Sequence, residues 1–362
     1  MNLIGEHTDY NEGLALPCAI DRQAMVLAAP RTDRRVRVRA WDLGEAAEFS
    51  CDSLARQGNW LDFVQGSFFA FSERGIEPHG FDLAITSRVP PNAGLSSSAA
   101  LGVALAAALD AGLGLGFSSE DWARLAHRAE NEFVGVRCGI LDPFASALGR
   151  AGHALRIDCR TETTDAIPIS GAELAILLVH SGVERRLAEG VYDERVMECR
   201  EALEAARRAG IAPTSARSLR DLELDQLSEL EGVLEPVAFR RARHVIGENA
   251  RVEAFCRALA SGDLDTLGVL LAQGQASLRE DYAVSTPEID WLCAAGPECE
   301  GVVGSRLTGA GLGGFTLHLV LPDHLQSVQA QLSEGFHARF GRRPESLTAL
   351  PSRGAWLEAR SD

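Results

Sequence analysis

Residues 90–100 read Pro-Pro-Asn-Ala-Gly-Leu-Ser-Ser-Ser-Ala-Ala, and a run of small apolar residues follows them. This run predicts a helix over Ala99–Leu109, with three serines where the helix begins. Free N–H groups at a helix N-terminus, the helix dipole and the hydroxyls can together hold an anion without lysine. The alternative is a well-capped helix, because serine is a common N-cap, and the segment alone favours neither. A hydrolase nucleophile elbow is excluded, since the second Gly of G-x-S-x-G is absent.

The composition narrows the class of protein. The chain has 362 residues, 46% hydrophobic and 24% charged, which is ordinary for a folded protein and leaves room for two domains. The formal net charge is −16, and all 35 basic residues are Arg. The absence of lysine excludes a Walker A loop, a protein kinase and a pyridoxal-phosphate enzyme. An acidic chain without a basic block is a poor candidate for nucleic-acid binding.

Cysteine usage and hydropathy indicate the compartment. The eight cysteines are scattered singly without a C-x-x-C pair, so neither a zinc site nor a disulfide framework is expected. The longest apolar run, residues 99–109, is too short to span a bilayer, and the start is not a signal peptide. We therefore expect a reduced, cytoplasmic protein with no membrane partner.

The order of predicted elements indicates two α+β domains that meet near residues 160–170. Strands are predicted around Val36–Val38, Phe81–Ile85, Ala154–Ile157, Leu174–Val179 and Phe315–Leu321. Helical patterns cover Glu120–Phe133 and residues 188–276, and Thr286-Pro287-Glu288 reads as a further helix start.

A glycine-rich segment, Gly309-x-Gly311-x-x-Gly314, matches the dinucleotide-binding fingerprint when it is taken alone. That fingerprint must open a helix, whereas the following residues alternate as a strand does. A Rossmann site is therefore rejected. Two interpretations stay open: a tight turn, or a wall of backbone beside a ligand, because glycine permits close approach.

Two further segments carry polar groups in apolar surroundings. Glu6, His7, Asp9 and Asn11 lie within residues 2–11 and suit hydrogen bonding to a polyhydroxylated ligand, although a solvated loop is the alternative. Asp142 is flanked by apolar residues and Pro143, which is typical of a functional carboxylate or of a helix cap.

These segments, in this order, resemble the three motifs of the GHMP small-molecule kinases, and among them the galactokinases. Residues 2–11 match the last ten positions of G-R-V-N-L-I-G-E-H-T-D-Y-N. Residues 91–99 and 306–316 are similar to the second and third motifs. Residues 130–144 are similar to a stretch ending C-G-I-M-D-Q-F, and residues 59–66 to W-A-N-Y-V-x-G.

The resemblance implies a two-domain GHMP kinase fold of the α+β class. The N-terminal domain, residues 1–165, would be of the ribosomal-protein-S5-like type and lack the start of its first strand. The C-terminal domain, residues 166–362, would be ferredoxin-like, and its last segment is a candidate to return to the first domain. The active site is expected in the cleft between them.

The resemblance also implies roles for individual residues. Asp142 would be the catalytic aspartate, and the sugar would be bound by Glu6, His7, Thr8, Asp9, Gly139, Asp142 and Tyr192. ATP would be bound by Ala40, Trp60, Asn92, Ala93, Gly94, Leu95, Ser96, Ser97 and Ser98. Ser98 and Glu130 would be the Mg²⁺ ligands, since a hard cation prefers oxygen donors.

The implied activity is ATP-dependent phosphorylation of galactose at its C1 hydroxyl, by a monomer with no nucleic-acid partner. Two alternatives stay open: a kinase of the same branch for another sugar, such as an N-acetylated one, and a sugar and ATP sensor. The sensor is considered because Met1 stands at the Val position of the family's first motif, so the Arg before that position is absent from this chain. We expect a mis-set start, and we expect weak activity and low stability if the chain begins at Met1. Asn92, Pro143, Ala310 and Leu312 are smaller departures from the family pattern.

Overall fold

The computed structural model describes residues 1–90, 94–136, 138–169, 174–183 and 190–358. Its strands are β1 (Asn2–Ile4), β2 (Leu14–Pro17), β3 (Ala24–Pro30), β4 (Arg35–Ala40), β5 (Glu45–Ser50), β6 (Phe81–Ser87), β7 (His153–Asp158), β8 (Thr163–Pro168), β9 (Ala175–His180), β10 (Val302–Leu307), β11 (Phe315–Val320) and β12 (Ser346–Ala349). Its helices are α1 (Leu61–Glu73), α2 (Ser97–Leu113), α3 (Ser119–Arg128), α4 (Leu141–Leu148), α5 (Val191–Arg208), α6 (Leu227–Glu231), α7 (Pro236–Ser261), α8 (Leu264–Glu280), α9 (Pro287–Ala295) and α10 (Leu325–Phe340).

The described residues form two compact units. Unit 1 takes Met1–Cys18, Gly94 and Gly152–Pro351, and unit 2 takes the remainder, including the last segment from Ser352. Residues 1–18 and 152–165, which the sequence assigned to the first domain, pack in unit 1, because β1 and β2 share a sheet with β7 and β8. These units describe packing, and the domain limits of 1–165 and 166–362 stay a prediction.

Unit 2 contains a four-stranded sheet in the order β3-β6-β4-β5 with helices α1–α4. Strand β4 runs parallel to β6 and antiparallel to β5. Its Val36, Val38 and Ala40 are buried and its arginines are exposed, as the alternation predicted. Helix α2 begins at Ser97, two residues before its predicted start, and most of the apolar residues that follow are buried.

Unit 1 contains two antiparallel sheets, β1-β2-β7-β8 and β10-β11-β9-β12, together with α5–α10. Strands β9 and β11 lie inside their sheet and are buried almost throughout, which explains the unbroken apolar run of the predicted strand at 174–179. The glycine-rich segment joins β10 to β11 as a hairpin connection, so the rejection of a Rossmann site is confirmed.

Two helical patterns differ from their predictions. The helix predicted over Glu120–Phe133 is α-helical only to Arg128 and continues as a π-helix over Ala129–Val134. The helical pattern at 188–276 divides, within the described residues, into α5–α8 and short 3₁₀ turns. The predicted start at Thr286 is confirmed, since its side chain accepts a hydrogen bond from the Ile289 N–H. No helix in the described part of the chain has the length and apolar character needed to cross a membrane.

The packing of α8 on β10 depends on a glycine. A Cβ at Gly268 would lie 2.3 Å from the carbonyl oxygen of Val303, a backbone atom that cannot move away without distorting β10. We expect Gly268→Ala to lower the free energy of unfolding by about 1–3 kcal/mol through overpacking, despite alanine's better helix propensity. Thermal and urea unfolding would measure it.

Gly232→Ala is the matched control, because the nearest atom to a Cβ there is 3.7 Å away and its φ of −76° suits alanine. This variant should be as stable as the unmodified protein. Equal stability of the two variants would contradict the proposed close packing.

Candidate active site

The serine-rich segment opens α2 without a side-chain cap. Ser96 is the N-cap residue, its φ of 57° is in the left-handed region, and its side chain makes no capping hydrogen bond. Ser97 and Ser98 are the first two residues of the helix, and its first turn contains no acidic residue. Among the described residues no side chain caps these N–H groups, which favours the anion-site interpretation over the capped helix. Leu95 is buried, Gly94 has a φ of 80°, and Asn92 and Ala93 lie outside the described residues.

Ser98, Glu130 and Asp142 come together around a buried carboxyl group in unit 2. Glu130 lies in the π-helix, a form that is frequent at functional sites. Burial raises the pKa of the Glu130 carboxyl, and the charge of Asp142 raises it further, whereas hydrogen bonds from Ser98 and Cys138 lower it. The structure thus groups one hydroxyl and two carboxylates that the sequence separates by up to 44 positions.

This group fits a hard divalent cation. Its donors are all oxygens, and the unfavourable effect of Asp142 on the Glu130 carboxylate is what a bound cation would relieve. Across the described ranges, no three His, Cys, Asp or Glu side chains are placed to hold a metal ion. A site here would therefore rely on the serine hydroxyl, and on substrate oxygens, to complete its ligands.

Asp142 is the second residue of α4 and is half-buried. Pro143 follows in the first turn, where a helix needs no N–H donor, so this departure from the family pattern costs no helical hydrogen bond. The preceding loop is held by two residues that sequence reasoning missed. Asn131 accepts from the Cys138 N–H at 3.2 Å, and His127 Nε2 lies 3.0 Å from the Cys138 carbonyl. Gly139 follows this hydrogen-bonded residue and lies three positions before Asp142.

Ala40 and Trp60, which are both predicted to bind ATP, are linked through Glu45. Ala40 ends β4 and pairs in register with Glu45 of β5. The indole Nε1 of Trp60 donates to the Glu45 carboxylate at 2.6 Å. The two residues therefore lie in the same part of unit 2, although 20 positions separate them in the sequence.

Glu6 is held in unit 1 by a buried arginine that the sequence did not single out. The guanidinium of Arg306 donates to the carboxylates of Glu6 and Glu248, the latter at 2.8 Å, and all three side chains are almost completely inaccessible. Burial raises the pKa of Glu6 to about 7, although Arg306 opposes the shift. Glu248 keeps its charge, because Arg306 and Arg251 hold its pKa far below the ordinary value despite its burial.

The rest of the first motif forms a tight turn. Thr8 is fully buried, and its hydroxyl lies 2.9 and 2.7 Å from the carbonyl oxygens of Gly5 and Leu14, so it holds the turn. His7 has a φ of 63°, and Asp9 starts a 3₁₀ turn. Tyr192 of α5 contacts the same turn, with its ring centroid 6.1 Å from that of His7. Glu6, His7, Asp9 and Tyr192 are thus gathered in one part of unit 1.

Sequence models of known families match three parts of the chain. Residues 62–150 match the GHMP kinases N terminal domain, residues 253–338 match GHMP kinases C terminal, and residues 1–30 match the galactokinase galactose-binding signature. The first two matches define the class as that of the two-domain small-molecule kinases.

The relatives define the branch within that class. A galactokinase of Roseiflexus sp. (strain RS-1) is 44% identical over 345 residues, which cover 94% of this chain and 87% of that protein. One from Chloroflexus aurantiacus is 39% identical over 356 residues, 98% of this chain and 90% of its own length. The chain therefore belongs to the galactokinase family of GHMP kinases.

Solved structures support the fold. Lactococcus lactis galactokinase complexed with galactose superposes with a TM-score of 0.91 at 32% identity, over 98% of this chain and 92% of that one. Methanococcus jannaschii mevalonate kinase has a TM-score of 0.68 at 18% identity, over 97% and 96%, and shares the fold. The predicted two-domain α+β kinase fold is confirmed.

The buried Glu6 predicts an unusual pH dependence of stability. Its ordinary pKa is near 4.5 and its pKa in the folded protein is about 7, so the folded state holds a proton that the unfolded state has released between these pH values. The free energy of unfolding therefore falls as pH rises through this range, because Glu6 becomes ionised while it is buried. We expect Glu6→Gln to gain up to about 3 kcal/mol relative to the unmodified protein between pH 4.5 and 8.

Melting temperatures at pH 5 and pH 8 would measure this gain. Glu229→Gln is the control, because Glu229 is exposed and its replacement should leave the pH dependence unchanged. A gain for Glu6→Gln that does not grow with pH would show that Glu6 is fully ionised in the folded protein across this range.

Proposed function

We propose that the protein transfers the γ-phosphoryl group of ATP to the C1 hydroxyl of galactose, giving galactose 1-phosphate and ADP. The observation that carries the proposal is that Ser98, Glu130 and Asp142 lie close together. Ser98 is at the start of α2, and the other two are on elements that pack against this helix. The identity of the sugar, galactose, is proposed from the galactokinase relatives and from the similar structure that contains galactose.

The start of α2 suits the phosphates of ATP. Its N–H groups and the positive end of the helix dipole offset phosphate charge, so a chain without lysine can bind a triphosphate. Ser98 and Glu130 would hold Mg²⁺, which supplies further neutralisation of the charge that develops on the β–γ bridge. Trp60 and Ala40 would line the position of the adenine.

Asp142 would act on the sugar hydroxyl. Its carboxylate would accept the proton of the C1 hydroxyl as the hydroxyl oxygen forms its bond to the γ-phosphorus. The bond between that phosphorus and the β–γ bridging oxygen breaks, and ADP leaves with the electron pair. Phosphoryl transfer depends mainly on position and charge, which is why one base is sufficient.

The first motif would bind the rest of the sugar. Asp9 would offer carboxylate oxygens to ring hydroxyls. Glu6, whose carboxyl group is buried against Arg306, is predicted to bind the sugar too, as are Tyr192 and Gly139. His7 and Thr8 belong to the same predicted set, and the hydroxyl of Thr8 is used within the turn.

The direct test is a panel of sugars with ATP and Mg²⁺, with ADP release measured by a coupled assay and the product identified by ³¹P NMR. Turnover is expected with galactose, and the product should be phosphorylated at C1. Turnover with an N-acetylated sugar but not with galactose would show that the N-acetylated sugar, and not galactose, is the substrate. Binding of galactose and ATP without turnover would contradict the kinase activity and support the sensor.

Asp142→Asn removes the proton acceptor and keeps the shape of the side chain. We expect kcat to fall by about 10²–10⁴-fold, because general base catalysis contributes on this scale. The KM for ATP should change far less than kcat, because the amide keeps the shape of the side chain beside Ser98 and Glu130. Steady-state kinetics measure both values, and a kcat above a tenth of the original would exclude Asp142 as the base.

Glu130→Gln tests the cation site. Loss of one carboxylate ligand should raise the Mg²⁺ concentration for half-maximal activity by about tenfold or more, as removal of a charged ligand costs over 1.4 kcal/mol. Glu132→Gln is the matched control, because Glu132 lies on the same π-helix but is exposed. An identical Mg²⁺ dependence in the two variants would exclude Glu130 as a ligand.

The predicted monomer and the predicted cytoplasmic location are part of this proposal. Sedimentation equilibrium of the purified protein measures the first, and cell fractionation measures the second.

A further inference from the structure

A chain of hydrogen bonds leads from the helical part of unit 1 to the first motif. It joins Cys199 Sγ to the Tyr282 hydroxyl at 3.1 Å, that hydroxyl to the one of Tyr10 at 2.7 Å, and Tyr10 to His7 Nδ1 at 2.9 Å. His7 Nε2 lies 3.2 Å from the carbonyl oxygen of Ala310, in the glycine-rich connection between β10 and β11.

The direction of the chain follows from its last member. A carbonyl oxygen can only accept, so Nε2 of His7 carries a hydrogen, and when the ring is neutral Nδ1 is an acceptor. Tyr10 therefore donates to His7. Since each phenol has one hydrogen, Tyr282 donates to Tyr10, and the Cys199 thiol donates to Tyr282.

Burial keeps both phenols protonated, because it raises the pKa of Tyr10 and of Tyr282 well above the ordinary value. Each hydrogen in the chain then has one acceptor. Both ring nitrogens of His7 are used within the protein, which holds a non-glycine residue in the left-handed region at φ 63°.

Tyr282 also supports the first motif through its ring. Its ring centroid lies 4.7 Å from that of His7 and 4.3 Å from that of His244. His244 Nε2 donates to the backbone carbonyl of Glu6 at 3.1 Å. Tyr10, the next member of the chain, packs edge-on against Tyr192 with centroids 4.9 Å apart. The buried side chain of Tyr282 thus contacts His7 directly. It also contacts His244, which holds Glu6, and Tyr10, which packs against Tyr192.

Tyr282 also lies beside the glycine-rich connection. Two residues further on, the Val284 carbonyl accepts from the Leu312 N–H at 2.7 Å, and a Cβ at Gly311 would lie 2.3 Å from the same oxygen. The first motif and the glycine-rich connection are therefore both tied to the segment that follows α8.

We infer that Tyr282 is a positioning residue of the sugar site, whose hydroxyl fixes Tyr10 and His7 and through them the turn that carries Glu6 and Asp9. The inference rests on the proposed function, since it assigns a role within the same sugar site. Tyr282 is fully buried and touches no substrate in this role.

Tyr282→Phe is the test, because it keeps the buried ring and removes only the hydroxyl. The KM for galactose should rise about 3- to 10-fold, the scale of one hydrogen bond. The kcat and the KM for ATP should stay within about twofold. Tyr10→Phe should act in the same way, and the double variant should be little worse than either single variant, since both break one chain.

Ser305→Ala is the matched control for a merely structural effect. Ser305 also makes a buried hydroxyl–imidazole hydrogen bond, to His318 at 2.7 Å, and on strand β10 its side chain faces away from that of Arg306. It should lower the melting temperature to a similar degree while leaving the KM for galactose unchanged.

Three outcomes separate the inference from the proposed function. Turnover of galactose by the unmodified protein with an unchanged KM in Tyr282→Phe would overturn the positioning role alone. Galactose binding without turnover, measured by calorimetry and weakened in Tyr282→Phe, would keep the positioning role and overturn the kinase activity. Absence of both turnover and galactose binding would overturn both.

Discussion

The buried guanidinium of Arg306 is the contact on which the first motif depends. It lies between the carboxylates of Glu6 and Glu248, and all three groups are removed from water. Burial raises the pKa of Glu6 and the charge of Glu248 raises it further, whereas Arg306 and Arg251 together keep the pKa of Glu248 low. Loss of the arginine would remove the cation that Glu6 and Glu248 share and leave Arg251 as the ion-pair partner of Glu248, and breaking a buried ion pair is strongly destabilising in proteins. The same residue joins β10 to the start of the chain.

Around these three residues, unit 1 uses further hydrogen bonds to hold the turn. The Gly5 N–H donates to Glu248, the Glu6 carbonyl accepts from His244, and Thr8 closes the turn on itself. Burial lowers the pKa of His244 to about 4, so at neutral pH it acts as a neutral donor and adds no third charge. Because these contacts already order the turn, sugar binding would lose less conformational entropy there.

Unit 2 handles charge in a different way. It presents an uncapped helix N-terminus and a pair of acids instead of basic side chains, which agrees with a chain that has no lysine. Anionic phosphate and a divalent cation together would neutralise both features. The local arrangement therefore explains how a protein with a net charge of −16 can belong to a family of ATP-dependent kinases.

The sequence by itself determined the elements and the chemical inventory. Period-two alternation predicted β4, β6 and β11, and small apolar residues predicted α2. The segments that resemble the family motifs, residues 2–11, 91–99, 130–144 and 306–316, indicated the family. Each of these signals is local in the sequence. Only the tertiary structure decided which distant groups meet. Arg306 and Glu6 are 300 positions apart, and Tyr282 and Tyr10 are 272 apart, and no periodicity connects them. The π-helix at Glu130 was also missed, since the spacing of apolar residues that predicted the helix does not distinguish i→i+5 from i→i+4 hydrogen bonds.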